Sequence, residues 1–344
     1  MSDGATYRFD AEAFLPRAIY ELIGRLRVAD PIAAYKATQT RQPRKALAPD
    51  GGLLLLMADE AARGIAPACE DRHEYLARVL RVLIGGVFDG VVAPPDLFEE
   101  LCLAQQIIRE NGGQSFLDGR VAIGVLNADP GRLTPSAFNV ARAKHLRCDG
   151  VWLRARIETE GDRAGEALAQ VAQLIEEVNE HQAVIFLQPG RPEHFEGAPW
   201  EAAEAAGLLS TVSALGQTSI RTWLAVPAFD GVDRALRAVT LPTLATGFAP
   251  PGDDLSSLLH TARDTLASTP RLRGIALGSS ILYRDDDPLA VAGALQAVLR
   301  GGAEIDTVLE RMDQARGRRF DVISSLVEGK ELKFEGGMSA ASYV

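Results

Sequence analysis

The chain has 344 residues, of which 47% are hydrophobic and 24% charged, so it can bury a large core. Its formal net charge of −10 at pH 7 argues against nucleic-acid binding, because phosphate backbones attract basic surfaces. Residues 1–10 are polar and no apolar stretch could span a bilayer, so we expect a cytoplasmic protein without membrane contact. The cysteines Cys69, Cys102 and Cys148 lack metal-ligand spacing, and we predict neither a metal site nor a cofactor.

Short apolar segments typical of strands alternate with amphipathic segments typical of helices. The predicted strands cover residues 53–59, 90–93, 121–126, 150–156, 183–188, 219–226, 243–246 and 274–277. The predicted helices cover residues 74–84, 97–110, 135–146, 164–179, 202–215, 231–240, 255–269 and 288–299. Strand-then-helix repeats imply parallel strands that close into a (β/α)8 TIM barrel. An open doubly wound sheet is the alternative, but the turn at residues 59–64 lacks its usual G-x-G-x-x-G fingerprint.

Two further segments flank the predicted barrel. The expected parts are an N-terminal helical extension with a connector, the barrel, and a C-terminal helix with a tail, at residues 1–50, 51–300 and 301–344. Within them we predict an amphipathic helix over residues 14–27, a polar connector over 38–50 and a helix over 304–315. Residues 336–342 are small and polar, so we expect them to be mobile or docked on a partner subunit. Such appendages are consistent with a homo-oligomer, although the sequence shows no interface.

Alternation along two strands predicts which side chains point into the barrel. The residues expected to face the surrounding helices are Val151, Leu153, Ala155, Ile220, Thr222, Leu224 and Val226. The residues expected to point inward are Trp152, Arg154, Arg156, Arg221, Trp223 and Ala225. Buried arginines need partners, and the acids at compatible places are Asp59, Glu60, Asp96 and Glu158.

These arginines have two interpretations. Arginine forks bind phosphate or carboxylate, so Arg156, nearest the barrel mouth, favours an anion site. Arg154 and Arg221 could equally be structural ions paired with acids in the lower barrel layers. After the seventh and eighth strands, Gly247 and the run at residues 278–280 suggest a phosphate cradle, although glycine after a strand is often only a turn.

Four motifs resemble a known family. They are Thr-Ser-Ile-Arg-Thr-Trp-Leu-Ala-Val-Pro at residues 218–227, Ala-Asp-Glu-Ala-Ala-Arg-Gly at 58–64, Pro-Pro-Asp at 94–96 and Gly-Ser-Ser-Ile-Leu-Tyr at 278–283. In order and spacing, from about residue 50 to 300, they resemble class I aldolase-like barrels often met beside inositol-catabolism genes. Those barrels are relatives of deoxyribose-phosphate aldolase and class I fructose-bisphosphate aldolase.

The resemblance implies a lysine at the end of the sixth strand, where it forms a Schiff base with a carbonyl substrate. This sequence has Ala225 there, and none of Lys36, Lys45, Lys144, Lys330 and Lys333 falls on a predicted strand. Further departures are Glu60 in place of a histidine, Ser279 in place of an arginine, and Trp152 and Gln188 in place of a lysine and an acid. A Schiff-base aldolase is therefore improbable.

We predict instead an enzyme with lyase or isomerase chemistry on a small anionic, sugar-derived carbonyl compound, with Asp59 and Glu60 as catalytic acid–base residues. The expected substrate- or anion-binding residues are Arg156, Arg154, Arg63, Asn127, Gln188, Trp223, Gly247, Gly278, Ser279 and Ser280. The alternatives are a catalytically silent paralogue that binds a metabolite or partner, and a metal-dependent enzyme. For the latter only His194 falls on the catalytic face, where a lone loop histidine is more often solvated.

Overall fold

The computed structural model describes residues 7–127, 137–158, 164–195, 197–248, 252–318, 320–327 and 332–334. Eight parallel strands, β1 to β8, pair in chain order and close into a barrel, so the predicted TIM barrel is confirmed. The strands are Leu53–Met57, Gly90–Ala93, Val121–Val125, Gly150–Arg156, Val184–Gly190, Thr222–Pro227, Thr243–Thr246 and Leu272–Leu277. The residues predicted to form the tail at 336–342 lie outside the described ranges.

Helices precede, surround and follow the barrel. Helices α1 to α15 are Ala11–Phe14, Arg17–Ala29, Ala33–Thr40, Arg72–Ile84, Pro95–Glu110, Val140–His145, Ala164–Glu180, Pro192–Phe195, Ala202–Ser213, Val232–Ala235, Leu255–Ser268, Ser279–Leu282, Pro288–Leu299, Ile305–Ala315 and Ser324–Val327. Short 3-10 helices span Ala61–Arg63, Leu236–Ala238 and Phe320–Val322. Among the described residues, no helix has both the length and the apolar character that crossing a membrane requires.

The barrel interior has its own hydrophobic core, separate from the core between strands and helices. The interior core residues are Leu53, Leu55, Met57, Val92, Val121, Ile123, Val125, Trp152, Phe186, Ala225, Leu244 and Ala276. The alternating residues Val151, Leu153 and Val226 belong to the outer core, as predicted from strand alternation. Trp152 stacks on Phe186 with ring centroids 5.7 Å apart, so large aromatic rings fill the middle of the barrel. The barrel is thus closed below its mouth by side chains, and a ligand can enter only from the strand ends.

Several predicted boundaries are wrong, and three of them differ for a local reason. The first N-terminal helix ends at Phe14 and α2 begins at Arg17, because Pro16 at the cap position has extended backbone. Strand β6 begins at Thr222 and not at residue 219, so Ile220 is 81% exposed and Arg221 lies in a turn outside the barrel interior. The helix predicted over residues 231–240 is reduced to the single turn of α10 and a 3-10 turn.

The helix predicted over residues 135–146 is shorter than expected. Helix α6 begins at Val140, because the Asn139 side chain caps it by accepting a hydrogen bond from the Arg142 amide at 2.7 Å. Residues 135 and 136 lie outside the described ranges.

One buried arginine helps to attach the N-terminal extension to the barrel floor. Arg41 is fully buried, forms an ion pair with Asp149 at 2.6 Å, and donates to the backbone oxygen of Arg120 at 2.6 Å. The same Asp149 carboxylate accepts a hydrogen bond from the Ala122 amide at 2.8 Å, at the start of β3. The connector beyond Arg41 then packs Leu47 against the interior core. These bonds link the extension to the strand entrances opposite the mouth.

We predict that Arg41→Leu lowers the free energy of unfolding by about 3 to 5 kcal/mol, because it leaves the Asp149 carboxylate buried without its cation. Chemical denaturation at pH 7 measures the loss. The control is Arg17→Leu, since Arg17 pairs with Glu12 in solvent and its loss should cost at most about 1 kcal/mol. Equal, small losses for both variants would show that the Arg41 pair does not anchor the extension.

Candidate functional site

A cavity of about 320 Å³ opens at the carboxyl ends of the strands. Eight of the predicted site residues line it: Glu60, Arg63, Arg154, Gln188, Gly247, Gly278, Ser279 and Ser280. They come from the ends of β1, β4, β5, β7 and β8 or from the turns that follow. Parallel strands converge at this edge of a barrel, which explains why residues far apart in sequence share one cavity.

Asp59 lies buried beside this cavity and holds two of its arginines. The Arg154 guanidinium donates a hydrogen bond to Asp59 Oδ2, and Arg63 Nη2 lies 3.4 Å from Asp59 Oδ1. Burial opposes ionisation of Asp59, but the charges of Arg154 and Arg63 outweigh it, so the pKa of Asp59 lies below its ordinary value. These contacts hold the two guanidinium groups against Asp59 at the edge of the cavity.

Glu60, the next residue, has a different environment. Its side chain is 1% exposed, and Tyr75 on α4 donates a hydrogen bond to its Oε2 at 3.0 Å. Its other oxygen, Oε1, is buried and has no hydrogen-bond partner among the described residues. Burial and the neighbouring charge of Asp59 raise the pKa of Glu60 to about 7. A carboxyl group of this kind can accept or donate a proton near neutral pH.

The Glu60 carboxyl group lies against the backbone of the turn after β8. A Cβ atom at Gly278 would fall 2.1 Å from Glu60 Oε1 and 2.7 Å from the Met57 backbone oxygen. Only glycine leaves room for the carboxyl group at this position. Gly278, selected from sequence as part of a phosphate cradle, thus makes space for an acid.

Asn127 and Trp223 are not among the residues described as lining the cavity, whereas Gln188 lines it and contacts the interior core. The Asn127 side chain exchanges two hydrogen bonds with the backbone of Arg154, at 2.8 and 3.1 Å, and so fixes the end of β4. Gln188 Oε1 accepts a hydrogen bond from Trp152 Nε1 at 3.2 Å. Trp223 packs on Phe186 inside the barrel and is not among the residues described as lining the cavity. Asn127 and Trp223 therefore act through their neighbours.

Other charged residues selected from sequence lie elsewhere. Arg156, half-buried at the end of β4, is not among the described lining residues. Asp96 forms a surface ion pair with Arg72 at 2.8 Å and does not reach the interior arginines. Arg154, at the barrel mouth, therefore pairs with Asp59, at the end of β1.

His194 is not solvated, contrary to the more common behaviour of a loop histidine. Its side chain is 3% exposed, stacks on Trp200 with centroids 3.9 Å apart, and accepts a hydrogen bond from the Arg191 amide at Nδ1. Arg191 also pairs with Glu204 on α9 at 2.7 Å, and His194 Nε2 lies 3.7 Å from the same carboxylate. These contacts hold His194, Phe195 and Trp200 as an aromatic wall of the cavity.

Sequence reasoning missed Tyr75, Trp200 and Thr246. Tyr75 follows an ordinary helical pattern, and its contact with Glu60 exists only in the folded barrel. Thr246 could have been found, because a hydroxyl residue ends the otherwise apolar strand β7 directly before Gly247. Its Oγ1 is buried, lacks a hydrogen-bond partner in the described residues, and belongs to a residue lining the cavity.

Lysines and metal ligands do not converge on the cavity within the described part of the chain. Ala225 on β6 is fully buried in the interior core, and Lys36, Lys45, Lys144 and Lys333 are not lining residues. The described residues contain no group of three or more His, Cys, Asp or Glu that could hold a metal ion.

Comparison with solved structures shows the same fold. The crystal structure of Cgl0159 from Corynebacterium glutamicum has a TM-score of 0.69 at 22% identity, covering 83% of this chain and 98% of that one. A Schiff base-forming fructose-1,6-bisphosphate aldolase has a TM-score of 0.51 at 17% identity, with coverage of 77% and 99%. Fructose-bisphosphate aldolase from Slackia heliotrinireducens DSM 20476 has a TM-score of 0.54 at 13% identity, with coverage of 90% and 96%.

No curated protein matches the chain significantly. The family model described as Cgl0159-like matches residues 51–298, which span the whole barrel. The chain belongs to the Cgl0159-like family.

Proposed function

We propose that this protein is an aldolase-like barrel enzyme that acts on a small, sugar-derived carbonyl compound by acid–base catalysis, with Glu60 as the proton-transfer group. The observation that carries the proposal is the Glu60 carboxyl group, buried at the cavity with one unpartnered oxygen and a pKa raised to about 7. Catalytic acids and bases with pKa values near the working pH are the most effective. Asp59, ionised and paired with two arginines, is the positioning partner.

The chemistry starts with the carbon next to the substrate carbonyl. Ionised Glu60 takes a proton from that carbon, and the C–H electron pair forms an enolate whose charge rests on the carbonyl oxygen. Arg154 and Arg63 line the same cavity and supply positive potential for that charge. Return of the proton to the former carbonyl carbon, with transfer of the proton of the neighbouring hydroxyl group to the former carbonyl oxygen, gives an isomerase. In a lyase, ionised Glu60 instead takes the proton of the β-hydroxyl group, whose oxygen becomes a carbonyl as the carbon–carbon bond breaks, and the electron pair of that bond leaves as the enolate.

The proposed mechanism forms no Schiff base between the protein and the substrate. By resemblance, Ala225 occupies the position of the Schiff-base lysine, and an alanine side chain cannot attack a carbonyl. An aldolase of similar fold is described as Schiff base-forming. Under this proposal the present chain uses the same scaffold without that covalent intermediate. The open, partly polar cavity favours an enzyme over a silent paralogue, whose mouth we expect to be blocked by apolar side chains.

We predict that the protein catalyses exchange of C–H protons next to the carbonyl of small hydroxyketones in deuterated water, followed by proton NMR. Glu60→Gln should reduce this rate about 10²- to 10⁴-fold, because the amide cannot accept the proton. Glu70→Gln is the matched control, since Glu70 is an exposed acid in the same loop and should leave the rate unchanged.

Retention of exchange by Glu60→Gln to within about threefold would reject Glu60 as the base. Saturable binding without exchange by the wild-type protein would identify a silent binding protein. A borohydride-trapped adduct on any barrel residue, detected by intact mass, would show that Schiff-base chemistry persists.

A second prediction concerns the pH dependence of stability. The folded pKa of Glu60 lies above its ordinary value of 4.5, so folding favours its protonated form. Relative to Glu60→Gln, the wild type should be most stable below about pH 4.5, lose about 3 kcal/mol as pH rises to about 7, and change little above. Denaturation curves of both proteins at matched pH values isolate this difference. A difference that stays constant between pH 5 and 8 would mean that Glu60 titrates normally.

A further inference from the structure

The charges at the cavity compensate each other within the described residues. Arg154 and Arg63 both pair with Asp59, and Glu60 adds a second carboxyl group at the same place. A phosphate ester carries about two negative charges at neutral pH and needs cations that are free to pair with it. With Glu60 ionised, the two arginines face two carboxylates and leave no excess of positive charge. With Glu60 protonated they leave one positive charge, less than the two negative charges of the ester.

The position that usually binds phosphate in this fold is occupied by the Glu60 carboxyl group. In (β/α)8 barrels the phosphate site is commonly formed by the turns after strands 7 and 8. Here the Glu60 carboxyl group lies against Gly278 in the turn after β8, so closely that a Cβ there would approach Oε1 to 2.1 Å. A phosphate group at this turn would meet the Glu60 carboxyl group directly, and the like charges would repel whenever Glu60 is ionised.

Two polar atoms of the cavity have no hydrogen-bond partner among the described residues, and hydroxyl groups of a ligand can provide one. Glu60 Oε1 and Thr246 Oγ1 are both buried without hydrogen-bond partners in the described structure, and both residues line the cavity. Buried polar atoms normally find partners, so a ligand is expected to supply them. A carboxylate oxygen can only accept a hydrogen bond, which a substrate hydroxyl provides and a fully ionised phosphate does not.

The remaining walls suit a compact, partly apolar molecule. Trp200, stacked on His194, and Phe195 form flat surfaces on one side of the cavity. Its volume of about 320 Å³ lies at the lower end of the roughly 300 to 1,000 Å³ typical of small-molecule sites. Such a cavity holds a molecule of monosaccharide size with its C–H groups against the rings.

We propose that the cavity binds an uncharged polyhydroxylated carbonyl compound, a free ketose or aldose, in preference to its phosphate ester. This differs from the anionic substrate that the sequence predicts. The inference rests on the proposed function, because it names the substrate class of the same cavity. The hydroxyl groups of the sugar donate to Glu60 Oε1 and exchange a hydrogen bond with Thr246 Oγ1. Arg154 and Arg63 stay paired with Asp59 until negative charge develops on the carbonyl oxygen.

Isothermal titration calorimetry with matched pairs tests this proposal. The probes are dihydroxyacetone and dihydroxyacetone phosphate, D-fructose and D-fructose 6-phosphate, and inorganic phosphate alone. We expect at least one neutral sugar to bind saturably and at least tenfold more tightly than its ester, without competition from inorganic phosphate. An ester that binds equally or more tightly, competition by phosphate, or no saturable binding of either neutral sugar would overturn the proposal.

Thr246→Val keeps the shape of the side chain and removes the hydroxyl group. It should weaken neutral-sugar binding about three- to tenfold, the usual effect of one lost hydrogen bond. Thr261→Val is the control, since Thr261 is exposed on α11 and should leave affinity unchanged. Equal affinities for Thr246→Val and wild type would remove Thr246 from the proposed contact and contradict it.

The binding and proton-exchange measurements separate the two proposals. Preferential binding of a neutral sugar without Glu60-dependent exchange would leave the substrate class standing and reject the acid–base function. Tighter binding and Glu60-dependent exchange of a phosphate ester would reject the substrate class and leave the function standing.

Discussion

Two acids adjacent in sequence, Asp59 and Glu60, are buried together where β1 leads into the cavity. Two carboxylates this close cannot both ionise easily in a low-dielectric site. Arg154 and Arg63 both lie on the side of Asp59, whereas Glu60 receives one hydrogen bond, from the neutral Tyr75. As a result, the pKa of Asp59 is lowered, whereas that of Glu60 is raised to about 7. The other cavity residues are arranged around these two acids, whose pKa values differ.

Residues at the strand ends maintain the different surroundings of Asp59 and Glu60. Asn127 fixes the backbone that carries Arg154, so the guanidinium group reaches Asp59 from the far side of the barrel. Gly278 lacks the side chain that would displace Glu60. Below these residues, Trp152 and Phe186 fill the barrel and close the floor of the cavity to water. Asn127 and Gly278 thus fix the surroundings of Asp59 and Glu60, and Trp152 and Phe186 pack together below them.

The same arrangement explains how an aldolase-like scaffold can work with Ala225 on β6. In a Schiff-base enzyme, a protonated imine on lysine stabilises the negative charge that develops on the substrate. In this chain, Arg154 and Arg63 are the available cations, and Glu60 is the available base. On the same scaffold, catalysis would then depend on residues after the first strand and on the fourth strand instead of a residue on the sixth.

Much of the fold and part of the site could be predicted from sequence alone. The eight βα repeats follow from the difference between a two-residue and a 3.6-residue period, which depends only on local backbone geometry. The inward direction of Trp152, Arg154 and Ala225 follows from the same alternation. Asp59 and Glu60 could be selected because the strand ends of a barrel must meet at one face. All of these features are set by position along a single strand or helix.

Tertiary structure alone decided which charged groups meet and in which direction the pKa of each buried carboxyl group is shifted. Tyr75 and Glu60 are fifteen positions apart on different elements, and no local pattern connects them. The burial of His194 depends on Trp200 and on the Arg191–Glu204 ion pair, so the loop sequence alone suggested a solvated side chain. Arg156 and Arg154 have the same strand parity, yet only Arg154 reaches Asp59, because depth in the barrel selects the partner. The sequence determined the barrel and the acids at its mouth, whereas packing lowered the pKa of Asp59 and raised that of Glu60, because a pKa depends on every group that surrounds a buried carboxyl.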